Sequence, residues 1–375
     1  MIIRVVFLFV TVLCFGNETG IGLAQSRILF PVNVAGKAGF IDHAGKLAIE
    51  PQFDEARDFA EGLAAVRINI TWGYIDAAGK VVIPLQFATA ADFSEGFALV
   101  SNERGQRGLI DHNGVFSTMT LHGWVYGFSE GLARVGIGER RGVGSFQSQM
   151  TVLEQWLFFN HDGTTVLRPQ FDYVDDFHEG LARVGRRTKD RFLINYIHKD
   201  GRLAFVDWFM AGHSFSEGVA IVSHDPNGVT HNNYGRLDYD NFNDDAPNSF
   251  TSNKPIDFLI IDRTGNKISA GTFEDISDFS EGVVAFKIHG KWGYLNKQGQ
   301  IVIKPQFDSA HDFSEGLAAV REKNKNYYIN LSGERVLSIS CDSADDFHHG
   351  LARMRISGKT AYIDKTGRIV WTPSK

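Results

Sequence analysis

The sequence predicts an all-β protein, a tandem array of about nine three-stranded antiparallel β-meander repeats over residues 28–373 of a 375-residue chain. Two observations predict it. An anchor of the form Phe-Ser-Glu-Gly followed by Leu-Ala-x-Val recurs, its glycines separated by 34, 35, 49, 38, 64, 34 and 34 residues, a fixed period of the kind repeat architectures write into sequence. The chain also carries 39 Gly and 30 Phe, a surplus that fits turns alternating with short packed strands.

Residues 1–24 precede the array and read as a secretory signal peptide. Arg4 supplies the positive start, Val5 to Phe15 is an apolar run of 11 residues, too short to span a bilayer, and Gly22 and Ala24 suit a cleavage site before Gln25. The bulky Leu13 before Cys14 argues against lipoprotein processing. Cleavage leaves Cys341 as the one remaining thiol, so no internal disulfide is expected.

The anchors come next. Their phenylalanines include Phe59, Phe93 and Phe313, and their glycines are Gly62, Gly96, Gly131, Gly180, Gly218, Gly282, Gly316 and Gly350. Each Gly is expected to be left-handed, and each Phe to plug the space between modules. Strand A is the Leu-Ala-x-Val segment, as in Leu317-Ala318-Ala319-Val320. Strand B is aromatic, as in Trp292-Gly293-Tyr294-Leu295-Asn296. An Asp-x-x-Gly turn follows, as in Asp42-His43-Ala44-Gly45 and Asp76-Ala77-Ala78-Gly79. Strand C, Ile301-Val302-Ile303, is expected to end at the proline of Pro305-Gln306-Phe307-Asp308, because proline cannot donate to a ladder. The stretch from Ser309 to the next anchor reads as a tight turn or one helical turn. The chain opens on a strand A at Ile28 and ends on a strand C at Ile369-Val370-Trp371, so no partial unit is left over for a swapped blade. That phase favours an open superhelical array, with a closed β-propeller-like ring as the alternative.

Thr71-Trp72-Gly73-Tyr74-Ile75-Asp76, Lys291-Trp292-Gly293-Tyr294 and the recurring Pro-Gln-Phe-Asp…Phe-Ser-Glu-Gly-Leu-Ala segments resemble the WG-repeat family, bacterial repeats named for a Trp-Gly pair. Only Trp72-Gly73 and Trp292-Gly293 keep the whole pair. Ala38-Gly39 and Arg107-Gly108 keep the Gly, and Trp156-Leu157 keeps the Trp. The resemblance implies a repeat scaffold, often in envelope or exported proteins, and no particular reaction or site residues.

Three insertions, 136–155, 223–257 and the shorter 185–191, fall at the hairpin between strands A and B. Insertions at one topological position project from one edge of an array, often a binding edge. The second holds His224, Asp225, His231, Asp238, Asp240, Asp244 and Asp245 among Asn and Gly. It lacks the glycine and closing Glu of a calcium loop, so it reads as a solvated acidic loop. His224 and His231, with no cysteine near, carry little zinc signal.

Carboxylates three apart, Asp58/Glu61, Asp92/Glu95, Asp176/Glu179, Asp278/Glu281 and Asp312/Glu315, resemble a hydrolytic pair. An enzyme needs one pair and here it is repeated, so the structural reading is preferred: Asp capping the turn, Glu accepting from the neighbouring module's backbone. His348-His349 replaces Ser-Glu in the last anchor, as befits a terminal repeat. Cys341 stands where Phe307 stands in the preceding repeat, which makes it a small apolar filler. Arg134, Arg183 and Arg353 share the x position of Leu-Ala-x-Val and read as solvated surface arginines.

The net charge of −6 argues against nucleic acid as partner. The expectation is a secreted or periplasmic binding or scaffold module for a protein or an envelope polysaccharide, with no cofactor, no catalysis and no stable membrane insertion after cleavage. A hydrolase with a site built from the inserted loops is the alternative.

Overall fold

The computed structural model describes residues 28–117, 124–142, 149–189, 191–224 and 255–373. The leader therefore lies outside the described residues. Among those described there is no helix, and the strands form nine small antiparallel sheets, each a meander of consecutive strands. These blades, numbered 1 to 9, span 30–53, 55–87, 89–111, 124–167, 173–198, 211–273, 275–307, 309–339 and 343–371.

Blade 2 shows how the repeat is built. Its strands are Glu55–Ala60, Leu63–Ile68, Thr71–Asp76 and Val81–Phe87. Strands A, B and C are the second, third and fourth of these. The first is the segment expected to be a turn. Six sheets have four strands and three have three, which corrects the uniform three-stranded reading. The first strand is hard to see because it is polar and interrupted. Ala56 pairs with Val66 and Phe59 with Ala64, so Arg57 and Asp58 bulge out of the ladder and break any alternating pattern. In blades 3, 6, 7 and 8 the first strand is a two-residue ladder.

Proline does not end the fourth strand. Pro51, Pro84 and Pro305 lie inside Leu47–Phe53, Val81–Phe87 and Ile301–Phe307. These are the outer edges of their sheets, where a missing N–H costs no ladder bond.

The array closes into a ring, so the alternative holds and the open superhelix does not. Contacts between successive blades repeat between blade 9 and blade 1. Third-strand tyrosines pack on the next blade's plug: Tyr74 on Phe93 and Tyr294 on Phe313, both at 4.9 Å between centroids. At the closure Tyr362 packs on Phe30 at 5.7 Å. Glycines of the turns between third and fourth strands sit over the preceding blade's fourth strand, Gly79 over Ile49 and Gly333 over Ile303, and at the closure Gly45 lies over Val370. Phe30, Val32, Ile41, Leu351, Tyr362 and Trp371 form one buried cluster across the closure. The uniform phase does not keep the array open, because closure here uses side chains between whole blades and needs no exchanged strand.

Turns alternate between two faces of the ring. The anchor turns and the Asp-x-x-Gly turns share one, the anchor face. The hairpins between second and third strands share the other, the hairpin face, with the connectors between blades. The plugs lie between blades, Phe93 and Phe313 being 4% and 1% exposed and Phe59 partly buried.

Candidate functional site

On the anchor face the Glu and Gly of each anchor are consecutive left-handed residues, such as Glu315 at φ 54° and Gly316 at φ 86°, which makes a tight two-residue turn. Each Glu carboxylate accepts the N–H of the next anchor Gly. Glu61 accepts from Gly96 at 3.0 Å, Glu95 from Gly131 at 2.8 Å and Glu130 from Gly180 at 2.9 Å. Glu179 accepts from Gly218 and Glu217 from Gly282, both at 2.8 Å, and Glu281 from Gly316 and Glu315 from Gly350, both at 2.9 Å. The turn between third and fourth strands of that next blade adds a lysine in three cases, from His198-Lys199-Asp200-Gly201, Asn296-Lys297-Gln298-Gly299 and Asp364-Lys365-Thr366-Gly367. Lys199 pairs with Glu130 at 3.2 Å, Lys297 with Glu217 at 3.3 Å and Lys365 with Glu315 at 2.9 Å. Burial works against charge on Glu130, but the Gly180 N–H and Lys199 outweigh it and hold its carboxyl below the ordinary glutamate range. These glutamates tie blade to blade.

The aspartates of the same motif also reach across blades. Four of them meet a side chain of the preceding blade. Asp176 accepts from Arg134 at 2.9 Å, and Asp312 from the Ser277 hydroxyl at 2.6 Å. Asp278 meets His213 at 2.5 Å and Asp346 meets His311 at 3.0 Å. The hydrogen bond to Asp346 raises the His311 pKa. Burial raises that of Asp312, against its Ser277 hydrogen bond and with Asp278 and Asp346 adding to the rise.

Arg134 and Arg183 are not surface residues. They are 4% and 5% exposed. Arg134 reaches Asp176 and the Val174 carbonyl, and Arg183 reaches Asp175 at 2.7 Å and the Gly212 carbonyl at 2.6 Å. Burial of the partly exposed Asp175 carboxyl works against its charge, but Arg183 and Arg134 hold its pKa down to about 2. Arg134 also lies 3.9 Å from the Tyr126 ring centroid. Arg353, 56% exposed at its side chain, pairs with Asp345 and is the member of the trio that stays near solvent. The repeat pattern could not distinguish them, because what buries Arg134 and Arg183 comes in part from the next blade: Asp176 and Val174 for Arg134, the Gly212 carbonyl for Arg183.

The hairpin face carries the insertions, and they fall in consecutive blades, 4, 5 and 6. In blade 4 the second and third strands, Leu132–Gly142 and Gln149–Phe159, lengthen to 11 residues each and stay paired from Ala133 with Phe159 to Gly142 with Gln149. That insertion is a β-ribbon rather than a loop. In blade 5 the pairing continues to Arg187 with Phe192. In blade 6 Ser223 donates to the Asp257 carbonyl at 2.6 Å at the base of the insertion. His224 is exposed, with its ring 5.0 Å from that of Phe209. Asp225, His231, Asp238, Asp240, Asp244 and Asp245 lie outside the described residues. Among the described residues no group of three or more His, Cys, Asp or Glu side chains is placed to hold a metal ion, and no helix is long and apolar enough to cross a membrane.

The Trp-Gly pair has a steric explanation. A Cβ on Gly73 would lie 2.6 Å from the Ile83 carbonyl oxygen and 2.8 Å from Pro84, and one on Gly293 would lie 2.6 Å from the Ile303 oxygen and 2.7 Å from Pro305. The fourth strand folds in over the third at its proline, and only Gly leaves room. Trp72 beside it is 9% exposed, with Arg57 and Arg67 over its ring. The family whose description is "WG containing repeat" matches residues 39–69, 72–103, 158–185, 260–292, 292–327 and 328–359. The chain belongs to the WG-repeat family.

No curated protein matches this WG-repeat chain. Among solved structures, one titled as the crystal structure of the eukaryotic initiation factor is similar at TM-score 0.52 and 10% identity, covering 93% of this chain and 96% of that one. The computationally designed protein Ika8 aligns at TM-score 0.45 and 9% identity, covering 90% of this chain and 99% of that one. At such identity the first likeness concerns the fold alone.

Cys341 is partly buried and packs beside the cluster around Tyr328 and Phe347, and burial pushes its thiol pKa up. That suits an apolar filler and not a nucleophile. His348 and His349, in the last anchor, are exposed.

Proposed function

We propose that this WG-repeat ring is an exported binding or scaffold module, without catalysis, for a protein or an envelope polysaccharide. The observation that carries the reading is the clustering of all three insertions in blades 4, 5 and 6 on one face. Loops that grow at unrelated times have no reason to choose adjacent blades and one side of a ring, whereas a partner docking on that sector would favour both. The amino-terminal leader supports export. The repeated Asp/Glu pairs, the feature that most resembled hydrolytic chemistry, are engaged in contacts between blades.

The test is a pull-down from bacterial envelope extracts using the mature chain from Gln25, against a version with residues 138–153 and 225–254 each replaced by a short turn. A partner retained by the first and lost by the second is expected. Identical eluates from two folded proteins would sink the reading.

A further inference from the structure

We propose that the hairpin face of blade 5 binds an anionic polysaccharide, with Arg186 as the central contact. The inference rests on the binding-module reading and names its ligand class. The second strand of blade 5, Leu181–Arg187, ends in Arg186 and Arg187, and its hairpin continues through Lys189 and Arg191, all four exposed. Several cations elsewhere on this face are paired within their own blade or with the adjoining connector, though Lys325, Arg355 and Lys359 of other hairpins are exposed as well. Lys37 pairs with Asp54 at 2.7 Å, and Arg67 pairs with Glu55, Lys291 with Asp308 and Arg335 with Glu322. Among the described residues, no carboxylate forms an ion pair with Arg186, Arg187, Lys189 or Arg191. Asp172 is engaged by the Arg187 backbone N–H at 2.6 Å, and Asp190 lies outside the described residues.

Arg186 is held by aromatic rings instead of by an acid. Its guanidinium lies 5.6 Å from the Phe171 centroid and 5.1 Å from that of Trp208, the two rings being 6.2 Å apart. Such stacking fixes a guanidinium without neutralising it, and leaves its N–H fork for an incoming anion. Trp208 is specific to this blade. Phe209 stands six residues before Phe215, as Phe307 stands six before Phe313, so Trp208 occupies the position of Gln306. In the same segment Val206 is 94% exposed. A sugar bearing a carboxylate, phosphate or sulfate offers what this patch lacks: an anion for the arginine fork and an apolar C–H face for aromatic and aliphatic surface. A long nucleic acid is disfavoured by the net charge of −6. An acidic peptide would satisfy the cations and leave the indole unused.

The experiment measures binding of the mature protein to polygalacturonate, neutral dextran, poly-L-glutamate and an oligo-dT strand. Polygalacturonate is expected to bind, to weaken with added salt, and to lose at least about tenfold in affinity in an Arg186→Ala/Arg187→Ala/Lys189→Ala variant, about 1.4 kcal/mol. Trp208→Ala and Arg186→Lys are each expected to weaken it several-fold, the latter because the charge is kept and the planar fork lost. All these side chains lie at or near the surface, and unchanged melting temperatures confirm folding. The proposal is overturned if folded protein ignores polygalacturonate, if the triple variant binds it equally, or if dextran, poly-L-glutamate or oligo-dT binds more tightly. In each of those cases an insertion-dependent partner in the envelope pull-down leaves the binding-module reading standing, and its absence removes both.

Discussion

Tyr362 donates its hydroxyl to the Pro31 carbonyl at 2.8 Å, and this bond closes the ring. At other interfaces the corresponding tyrosine reaches a carbonyl just past the next blade's first strand, as Tyr74 reaches Ala91 at 2.7 Å and Tyr294 reaches His311 at 2.6 Å. Among its described residues blade 1 has no first strand, so the closing tyrosine caps its second strand directly. In blade 7 the residue equivalent to Pro31, Ala285, directs its carbonyl to the first strand, where it accepts from Ser277 at 2.9 Å. Pro31 thus turns its carbonyl to Tyr362 and has no N–H to leave unpaired beside it. The plug is supplied in a different way too. Phe30 holds the place where blade 2 has Ala64, and fills the space that Phe59 fills there. Tyr362→Phe is therefore expected to cost about 1 kcal/mol, for a partly buried carbonyl left without a donor. Phe30→Ala should cost about 3–5 kcal/mol. Urea denaturation gives both values. Hydrogen exchange should show the loss of protection concentrated in blades 1 and 9, and uniform loss around the ring would argue against a seam.

The glycines separate into two classes with different prices for a methyl group. Gly316→Ala meets nothing within 4 Å and suffers only its φ of +86°, about 1 kcal/mol. Gly293→Ala drives a Cβ to 2.6 Å from the Ile303 carbonyl, and is expected to cost more than about 3 kcal/mol because backbone must move. Equal midpoints for the two variants in urea would refute the steric account of the Trp-Gly pair.

Much of this was legible in the sequence because a repeat states the same local problem many times. The anchor glycines, the Glu-to-backbone bonds and the plug role of Phe313 follow from turn chemistry and spacing, and they appear as expected. What escaped was set between blades. Arg134 looks like a surface residue until Asp176 arrives from the next blade's first strand, and Arg183 until its own blade's Asp175 and the next blade's Gly212 carbonyl close over it. That strand itself is hidden by a two-residue bulge. Ring closure depended on Phe30 replacing a small residue, a signal that was present but meaningful only once the plug's geometry was known. Trp208 in the place of Gln306 was likewise readable, had the repeats been aligned position by position.

Removing Arg134 should expose how the buried network is balanced. Arg134→Ala removes a buried guanidinium and leaves the partly buried Asp176 and Asp175 with fewer partners, and a loss of about 3 kcal/mol is expected. The Asp175→Asn/Arg134→Met double variant should recover part of it, since charge is removed from both sides of the network. A double-mutant cycle in urea checks this, and strict additivity would mean that the two side chains do not interact.

Asp275 should make stability depend on pH in the sense opposite to the glutamates. It sits on the first strand of blade 7 at 6% exposure, and burial raises its pKa to about 6 despite the Ile276 N–H it accepts. Unfolded, an aspartate releases its proton near its ordinary value of about 3.9. Between those values the folded state holds a proton that the unfolded state has lost, so this residue's contribution falls as pH rises and is lost above about 6. Asp275→Asn keeps the shape and the acceptor for Ile276 and removes the titration. The variant should match the parent at pH 4 and exceed it by about 2 kcal/mol at pH 7.5. Glu130 behaves in the other direction: its carboxyl is held below the ordinary range, so its contribution is present at neutral pH and is lost as pH falls through that lowered value. The difference between parent and variant in urea, measured across pH 4 to 7.5, isolates Asp275 from that background. A constant offset at every pH would show that the carboxyl is not protonated in the folded ring.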